Sequence, residues 1–257
     1  MVSKNWITFD LDGTLMQNPF QKWVFPEIEE RINQKLKNTK DIVNLLVDKH
    51  QSLLEKGKIY EAYDWDMITA EILKDLSLER ELEINVEKSV KKHSVYPKVY
   101  LLEEGIEDTL EQLRKNGFSL AVITNGFYKY QFPVLRELSI DNYFDKILTP
   151  EEMQHAKPEL EIIKPLLNEG KIVAHVGDRI DHDIVMANRL NIKSILINKS
   201  LPNHYTDIPF YERKKDREIY MHCMEKWKKE TKDKKFHGSY MPDIIIGSIN
   251  ELKKIFA

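Results

Sequence analysis

The sequence predicts an α/β protein, a doubly wound and mostly parallel sheet interrupted by an all-helical domain. Three observations carry this expectation. From Pro97 onward, short apolar runs alternate with stretches of helical spacing. A β-rich run, Trp6-Ile7-Thr8-Phe9, stands apart from that series near the N-terminus. Between the two, from about Lys22 to His93, only helical spacing is found. Strand and helix taking turns is the pattern of a parallel sheet with helices on both faces.

The first run passes directly into Asp10-Leu11-Asp12-Gly13-Thr14, a strand followed by a polar, glycine-containing turn. In the helical stretch, Ile28, Ile32 and Leu36 repeat at helical intervals, as do Ile68, Ile72, Leu73 and Leu76. A helix is expected around Ile106 to Lys115, with Gly117 as its stop and the strand Phe118 to Ile123 after it. A helix near Tyr130 to Leu138 precedes a short strand at Phe144 to Leu148, and one near Leu160 to Leu167 precedes a strand at Lys171 to Val176. Ser194 to Ile197 and Ile244 to Ile246 complete the strands. The expected division is therefore a core of residues 1–17 and 95–257 with a helical domain at 18–94 inserted after the first strand.

The segment 201–241 is far longer than a usual connection between strands. Ile219, Tyr220, Cys223, Met224 and Trp227 recur there at helical spacing, so a helix with an apolar face docked on the core is expected. The mixed-charge run Lys228 to Lys235 that follows reads as solvated surface.

Composition narrows the classes of function. Of 257 residues, 42% are hydrophobic and 32% charged, with no run near the roughly 20 apolar residues of a membrane span. A net charge of -3 gives no electrostatic reason to bind nucleic acid. The single cysteine, Cys223, cannot close an internal disulfide, and no secretory signal pattern is evident, so a cytoplasmic protein is expected. The expected partner is a small molecule; the sequence leaves monomer and dimer open.

In an open parallel sheet, ligands bind beyond the carboxyl ends of the strands. Three such ends carry reactive groups: Asp10 and Asp12, then Thr124-Asn125-Gly126, then Gly177-Asp178. Two carboxylates one residue apart can divide covalent catalysis, one attacking while the other moves protons. Attack on phosphorus requires the repulsion between anions to be offset, for which Asp178, as ligand to a divalent cation, and Lys157 are candidates. Hard oxygen donors point to Mg2+. Thr124 can donate to a phosphate oxygen, and Gly13 and Gly126 allow close backbone approach.

The ordered set Asp10-Leu11-Asp12-Gly13-Thr14, Thr124-Asn125-Gly126, Lys157-Pro158 and Gly177-Asp178-Arg179-Ile180-Asp181-His182-Asp183 resembles the four motifs of the haloacid dehalogenase superfamily. The resemblance spans the core and implies its Rossmann-like fold. It implies a phosphatase in which Asp10 is the nucleophile, forming an aspartyl-phosphate, and Asp12 the acid and base. Thr124 and Asn125 would meet the substrate, and Lys157 would both bind it and neutralise charge. Asp10, the Asp12 carbonyl and Asp178 would hold Mg2+, with Asp183 a further ligand or a support for the metal's waters. The helical domain resembles the cap of subgroup I, which closes over a small phosphorylated metabolite. Histidine at 182 and Met186-Ala187-Asn188 depart from the usual pattern and bear on the placement of Asp183 and Asp181.

Two rivals remain: a 2-haloacid dehalogenase, which Asp12 argues against, and a non-enzymatic phosphoacceptor similar to a receiver domain. His155, His175 and His182 are expected in structural roles, since no paired-histidine metal motif is present. Trp23, Phe25, Tyr60 and Trp65 either line the substrate pocket or pack between helices.

Overall fold

The structure is a computed structural model that describes residues 3–36, 38–232 and 235–257. The chain begins with β1 (Lys4–Phe9) and the two-residue β2 (Met16–Gln17). A helical lobe follows, made of α1 (Phe25–Leu36), α2 (Ile42–Glu55), α3 (Ile59–Ala62), α4 (Trp65–Asp75) and α5 (Val86–His93). Next come β3 (Tyr100–Leu101), α6 (Ile106–Lys115), β4 (Ser119–Ile123), α7 (Tyr128–Glu137), β5 (Lys146–Leu148), α8 (Pro150–Met153) and α9 (Lys164–Leu167). The chain ends with β6 (Gly170–Gly177), α10 (Val185–Arg189), β7 (Lys193–Ile197), α11 (Arg217–Thr231), β8 (Ile244–Ile246) and α12 (Leu252–Ile255).

Among the described residues the main sheet has the strand order β5-β4-β1-β6-β7-β8, and every pair in it is parallel. The expected doubly wound architecture is thus present. Alternation along each strand feeds two buried faces. Ile7, Phe9, Leu120 and Val122 pack with Ile106 and Leu110 of α6 on one side. Trp6, Ala121 and Ile123 pack with Ile162, Leu166 and Met186 on the other. β1 lies between β4 and β6, so its carboxyl end opens at the centre of the sheet.

The helical lobe has an apolar cluster of its own, including Ile28, Ile32, Leu46, Ile68 and Ile72, and Phe127 and Tyr130 beside and within α7 enter it from the core. The Tyr130 hydroxyl donates to Asp66 Oδ2 at 3.0 Å and accepts from the Asp66 amide at 3.0 Å. Lys129 Nζ lies 2.8 Å from Asp66 Oδ2. The lobe is therefore fixed to the core through α4 and α7.

Three local expectations need correction. The helix expected at Leu160 to Leu167 is a 3-10 turn, Leu160–Ile163, followed by α9. Pro165 has no amide to continue an α-helical ladder through it. The apolar face of α11 is Ile219, Cys223 and Trp227, four residues apart and buried, whereas Tyr220 is 37% exposed. The run Lys228 to Lys235 is not uniformly solvated: the side chain of Glu230 is 8% exposed and accepts from the core. Residues 233 and 234 of that run lie outside the described residues. No helix among the described residues is long and apolar enough to cross a membrane.

Candidate active site

Parallel strands β1, β4 and β6 place Asp10, Thr124 and Asp178 at one edge of the sheet, because all three run in the same direction and end there. Lys157 joins them from the loop after α8. It is 2% exposed, and its Nζ donates to Asp10 Oδ1 at 2.6 Å and Asp183 Oδ1 at 2.7 Å. Asn125 fixes that lysine: its Oδ1 accepts from the Lys157 amide at 2.7 Å and its Nδ2 donates to the Lys157 carbonyl at 3.0 Å. The Asn125 side chain, expected to meet substrate, bonds the Lys157 main chain here, with its Nδ2 also 3.4 Å from His182 Nδ1. Thr124 is buried, and its Oγ1 accepts from the Gly126 amide at 3.1 Å, which leaves the hydroxyl hydrogen to donate elsewhere.

Asp10, Asp178 and Asp183 each offer a carboxylate oxygen within 4.8 Å of the others. Asp178 Oδ1 and Asp12 Oδ1 are buried without a hydrogen-bond partner. Oxygen donors left open beside two further carboxylates fit a hard divalent cation better than a structural ion pair. Gly13 has φ +80°, and a Cβ there would lie 2.8 Å from Asp178 Oδ2, so glycine lets the first loop lie against this carboxylate. Gly126 does the same for Gln131, whose side chain would collide with any Cβ at 126.

Burial sets the charges. It drives the Asp10 carboxyl well above the ordinary aspartate value, with Lys157 opposing and Asp183 and Asp178 adding to the rise. Burial, with Asp183 beside it, pushes Asp178 up to about 6. Asp183 goes the other way: burial is outweighed by Lys157 and His175, which hold it below the usual range. Burial also opposes the charge of Lys157, yet Asp10 and Asp183 keep it ionised. Asp12 Oδ2 accepts from Gln131 Nε2 at 2.5 Å, and burial raises this carboxyl despite Gln131, Asn18 and Lys157.

The histidines, expected in structural roles, make the following contacts. His175 is fully buried, with Nε2 3.0 Å from Asp183 Oδ1 and Nδ1 2.8 Å from Thr8 Oγ1. Burial lowers its pKa, with Asp183 opposing. Burial, with Arg179 nearby, lowers His182 to about 4. His155 pairs with Glu159 away from the cluster. Asp181 is not part of the acidic group; its two oxygens accept from Arg179 at 3.0 and 2.8 Å.

Of the aromatic candidates, Phe25 and Trp65 pack on one another, centroids 4.7 Å apart, and Tyr60 packs on Phe127. Trp23 is 39% exposed and stacks on His93. Among the described lobe residues Tyr63 lies at the site, its ring edge-on to His182 with centroids 6.4 Å apart. Beside it a cleft of about 530 Å³ runs between α2, the loop after β6 and α11, with Leu54, Pro158, Arg179 and Trp227 in its wall. Sequence reasoning missed Tyr63 and Gln131. Neither lies in a motif, and each meets its partner only through the tertiary fold.

The sequence profile of haloacid dehalogenase-like hydrolases matches residues 7–197, which include the whole of this cluster. The chain belongs to that family. Among its relatives, a glyceraldehyde 3-phosphate phosphatase of Methanocaldococcus jannaschii is 30% identical over 209 residues, 75% of this chain and 84% of that protein. A protein of the same description from Methanopyrus kandleri is 32% identical over 120 residues, 43% of this chain and about half, 52%, of the relative. A solved haloacid dehalogenase-family phosphatase from Thermococcus onnurineus superposes with a TM-score of 0.68 at 21% identity, covering 98% of each chain. L-2-haloacid dehalogenase from Xanthobacter autotrophicus superposes with a TM-score of 0.59 at 15% identity, again over 98% of each. These structural likenesses speak for the haloacid dehalogenase fold, which phosphatases and dehalogenases share.

Proposed function

We propose that this haloacid dehalogenase-like hydrolase is a Mg2+-dependent phosphatase of a small phosphorylated metabolite, working through an aspartyl-phosphate on Asp10. The observation that carries the reading is Asp12. Its carboxyl is separated from Asp10 by one residue of the chain, with Oδ2 held by Gln131 Nε2 at 2.5 Å and Oδ1 buried without a partner, which supplies the second carboxyl required for proton donation by a general acid. A dehalogenase releases halide and has no use for that proton. The M. jannaschii relative makes a phosphotriose the first substrate to try.

In this mechanism the Asp10 carboxylate attacks phosphorus and the P–O bond to the alcohol breaks. Asp12 gives its proton to the departing oxygen. Asp12, now a carboxylate, takes a proton from water, whose oxygen attacks the phosphorus of the aspartyl-phosphate; inorganic phosphate leaves and Asp10 is regenerated. The Thr124 hydroxyl donates to a phosphoryl oxygen, and Lys157, held by Asn125, offsets negative charge at Asp10. Asp10, Asp178 and Asp183, with the Asp12 carbonyl, are the groups that would hold Mg2+, which when bound supplies further positive charge against the carboxylates and the phosphoryl group. The helical lobe, residues 18–94, acts as a cap that shields the aspartyl-phosphate from bulk solvent, with Tyr63 as its contact to the site.

The test is phosphate release from a panel headed by glyceraldehyde 3-phosphate, with Mg2+ or chelator, for the wild type, Asp10→Asn and Asp12→Asn. The reading requires release that depends on Mg2+ and is lost in both variants. Halide release from 2-chloropropionate without phosphate release would replace it with the dehalogenase reading, and a phosphorylated Asp10 stable for minutes would point to a phosphoacceptor.

A further inference from the structure

We propose that Glu230 of α11 is a positioning residue for the loop that carries Asp178 and Asp183, so that the 201–241 segment extends the metal site. This rests on the reading of Asp178 as a metal ligand. Glu230 Oε2 accepts from the amides of Ile180 and Asp181 at 2.9 and 3.3 Å. These are the leading amides of the turn Ile180–Ile184, whose own hydrogen bonds cannot satisfy them. The two amides lie between the two acids of the cluster in sequence, so the bonds set where the loop leaves Asp178 and where it delivers Asp183. The turn is then closed from within: the Asp183 amide donates to the Arg179 carbonyl at 2.9 Å, and the Arg179 amide donates to Asp183 Oδ2 at 3.0 Å.

Docking alone does not account for this carboxylate. Ile219, Cys223 and Trp227 already bury the apolar face of α11 against Ile180, Ile184 and Val185. A carboxylate with 8% exposure adds a desolvation cost that apolar packing does not repay. Its compensation is specific: two loop amides, and Lys226 one turn back, with Nζ 3.1 Å from Glu230 Oε1 and 3.9 Å from Asp178 Oδ2. Two residues beyond Glu230, Lys232 Nζ lies 2.6 Å from Glu55 Oε1 of α2 in the lobe. Glu230 therefore ties the acidic loop to a helix docked on the core.

The experiment is titration of the purified full chain with Mn2+, free ion being read by electron paramagnetic resonance at fixed pH. It is run on the wild type, Glu230→Ala, Glu230→Asp, Glu230→Gln, Asp178→Asn and Glu225→Ala, an exposed position on the same helix. Loss of a group that orients a ligand weakens metal binding roughly 10-fold or more, so Glu230→Ala should raise the Kd by that order. Glu230→Asp, whose shorter side chain withdraws from the amides, should follow it. Glu230→Gln keeps an acceptor oxygen and should stay close to wild type, as should Glu225→Ala, while Asp178→Asn loses binding. Wild-type affinity in Glu230→Ala, or in Glu230→Asp where the alanine variant does not fold, together with loss in Asp178→Asn, overturns the positioning role and leaves the metal site standing. Wild-type affinity in Asp178→Asn overturns both.

Discussion

Replacing Lys157 by Met tests whether one buried ammonium holds the site together. The side chain is 2% exposed and serves Asp10, at 10%, and Asp183, at 1%. Met replaces its aliphatic stem without the ammonium and leaves three carboxylates, Asp10, Asp178 and Asp183, with a formal charge of -3 in place of -2. Asp183 retains His175 and the Arg179 amide, whereas Asp10 loses the one side-chain partner the structure gives it. Breaking a buried pair of this kind costs about 3–5 kcal/mol, and at about 2–4 °C per kcal/mol for a chain of this size the melting temperature should fall roughly 6–20 °C. The assay is thermal and urea unfolding by circular dichroism at neutral pH in chelator, on Lys157→Met, Asp10→Asn and the double variant. Removing the orphaned charge should recover stability, so the double variant should be more stable than the sum of the two single losses allows. Strict additivity, or a single variant within about 1 kcal/mol of wild type, would refute the account, because a surface-like pair is worth that little.

Three further outcomes follow from the geometry. Gly13→Ala sets a non-glycine residue at φ +80° and drives its Cβ toward Asp178, which should cost about 1–3 kcal/mol in urea unfolding; an unchanged midpoint would show that the loop yields freely. Gln131→Leu removes the donor that aims Asp12, a hydrogen bond to a protonated carboxyl worth about 0.5–1.5 kcal/mol, so kcat should fall roughly two- to tenfold with KM little changed; a normal kcat would remove Gln131 from the mechanism. In the lobe, burial raises the Glu27 carboxyl, but bonds from Lys92 at 2.9 Å and His93 at 2.5 Å bring it below its ordinary 4.5. A depressed carboxyl contributes stability above pH 4.5 that is lost as pH falls through its lower folded value. Trp23, stacked on His93, should report that acid loosening by fluorescence, and Glu27→Gln should lack it; coincident acid profiles would sink the assignment.

The parts of the site that were legible in the sequence are those for which strand and turn chemistry act locally. Asp10, Thr124 and Asp178 each close an apolar run, so their convergence follows once the strands are parallel. Lys157 was legible through Pro158 beside it, although its burial between two carboxylates was not. Gln131 meets Asp12 across 119 residues, and Glu230 meets Ile180 across 50. Each sits in a helix where the local pattern reports only periodicity, and the charged neighbours of Glu230 made it read as solvent-facing. Pro165 lacks the amide that an unbroken α-helix needs there, which is why one expected helix divides in two. The true apolar face of α11 needed the three-dimensional contact, since Tyr220 shares the spacing without the burial.

The central place of β1 has a consequence for how the chain is made. The neighbours of β1 follow far along the chain: Trp6 pairs with Ser119 on one side and Ile172 on the other. At roughly 5–20 residues per second of synthesis, many seconds pass before either edge can be covered. The helical lobe, whose contacts are mostly local, is complete well before then and can collapse first. Asp10 therefore waits at the end of an unpaired apolar strand beside a formed bundle, and is sheltered only when β6 arrives.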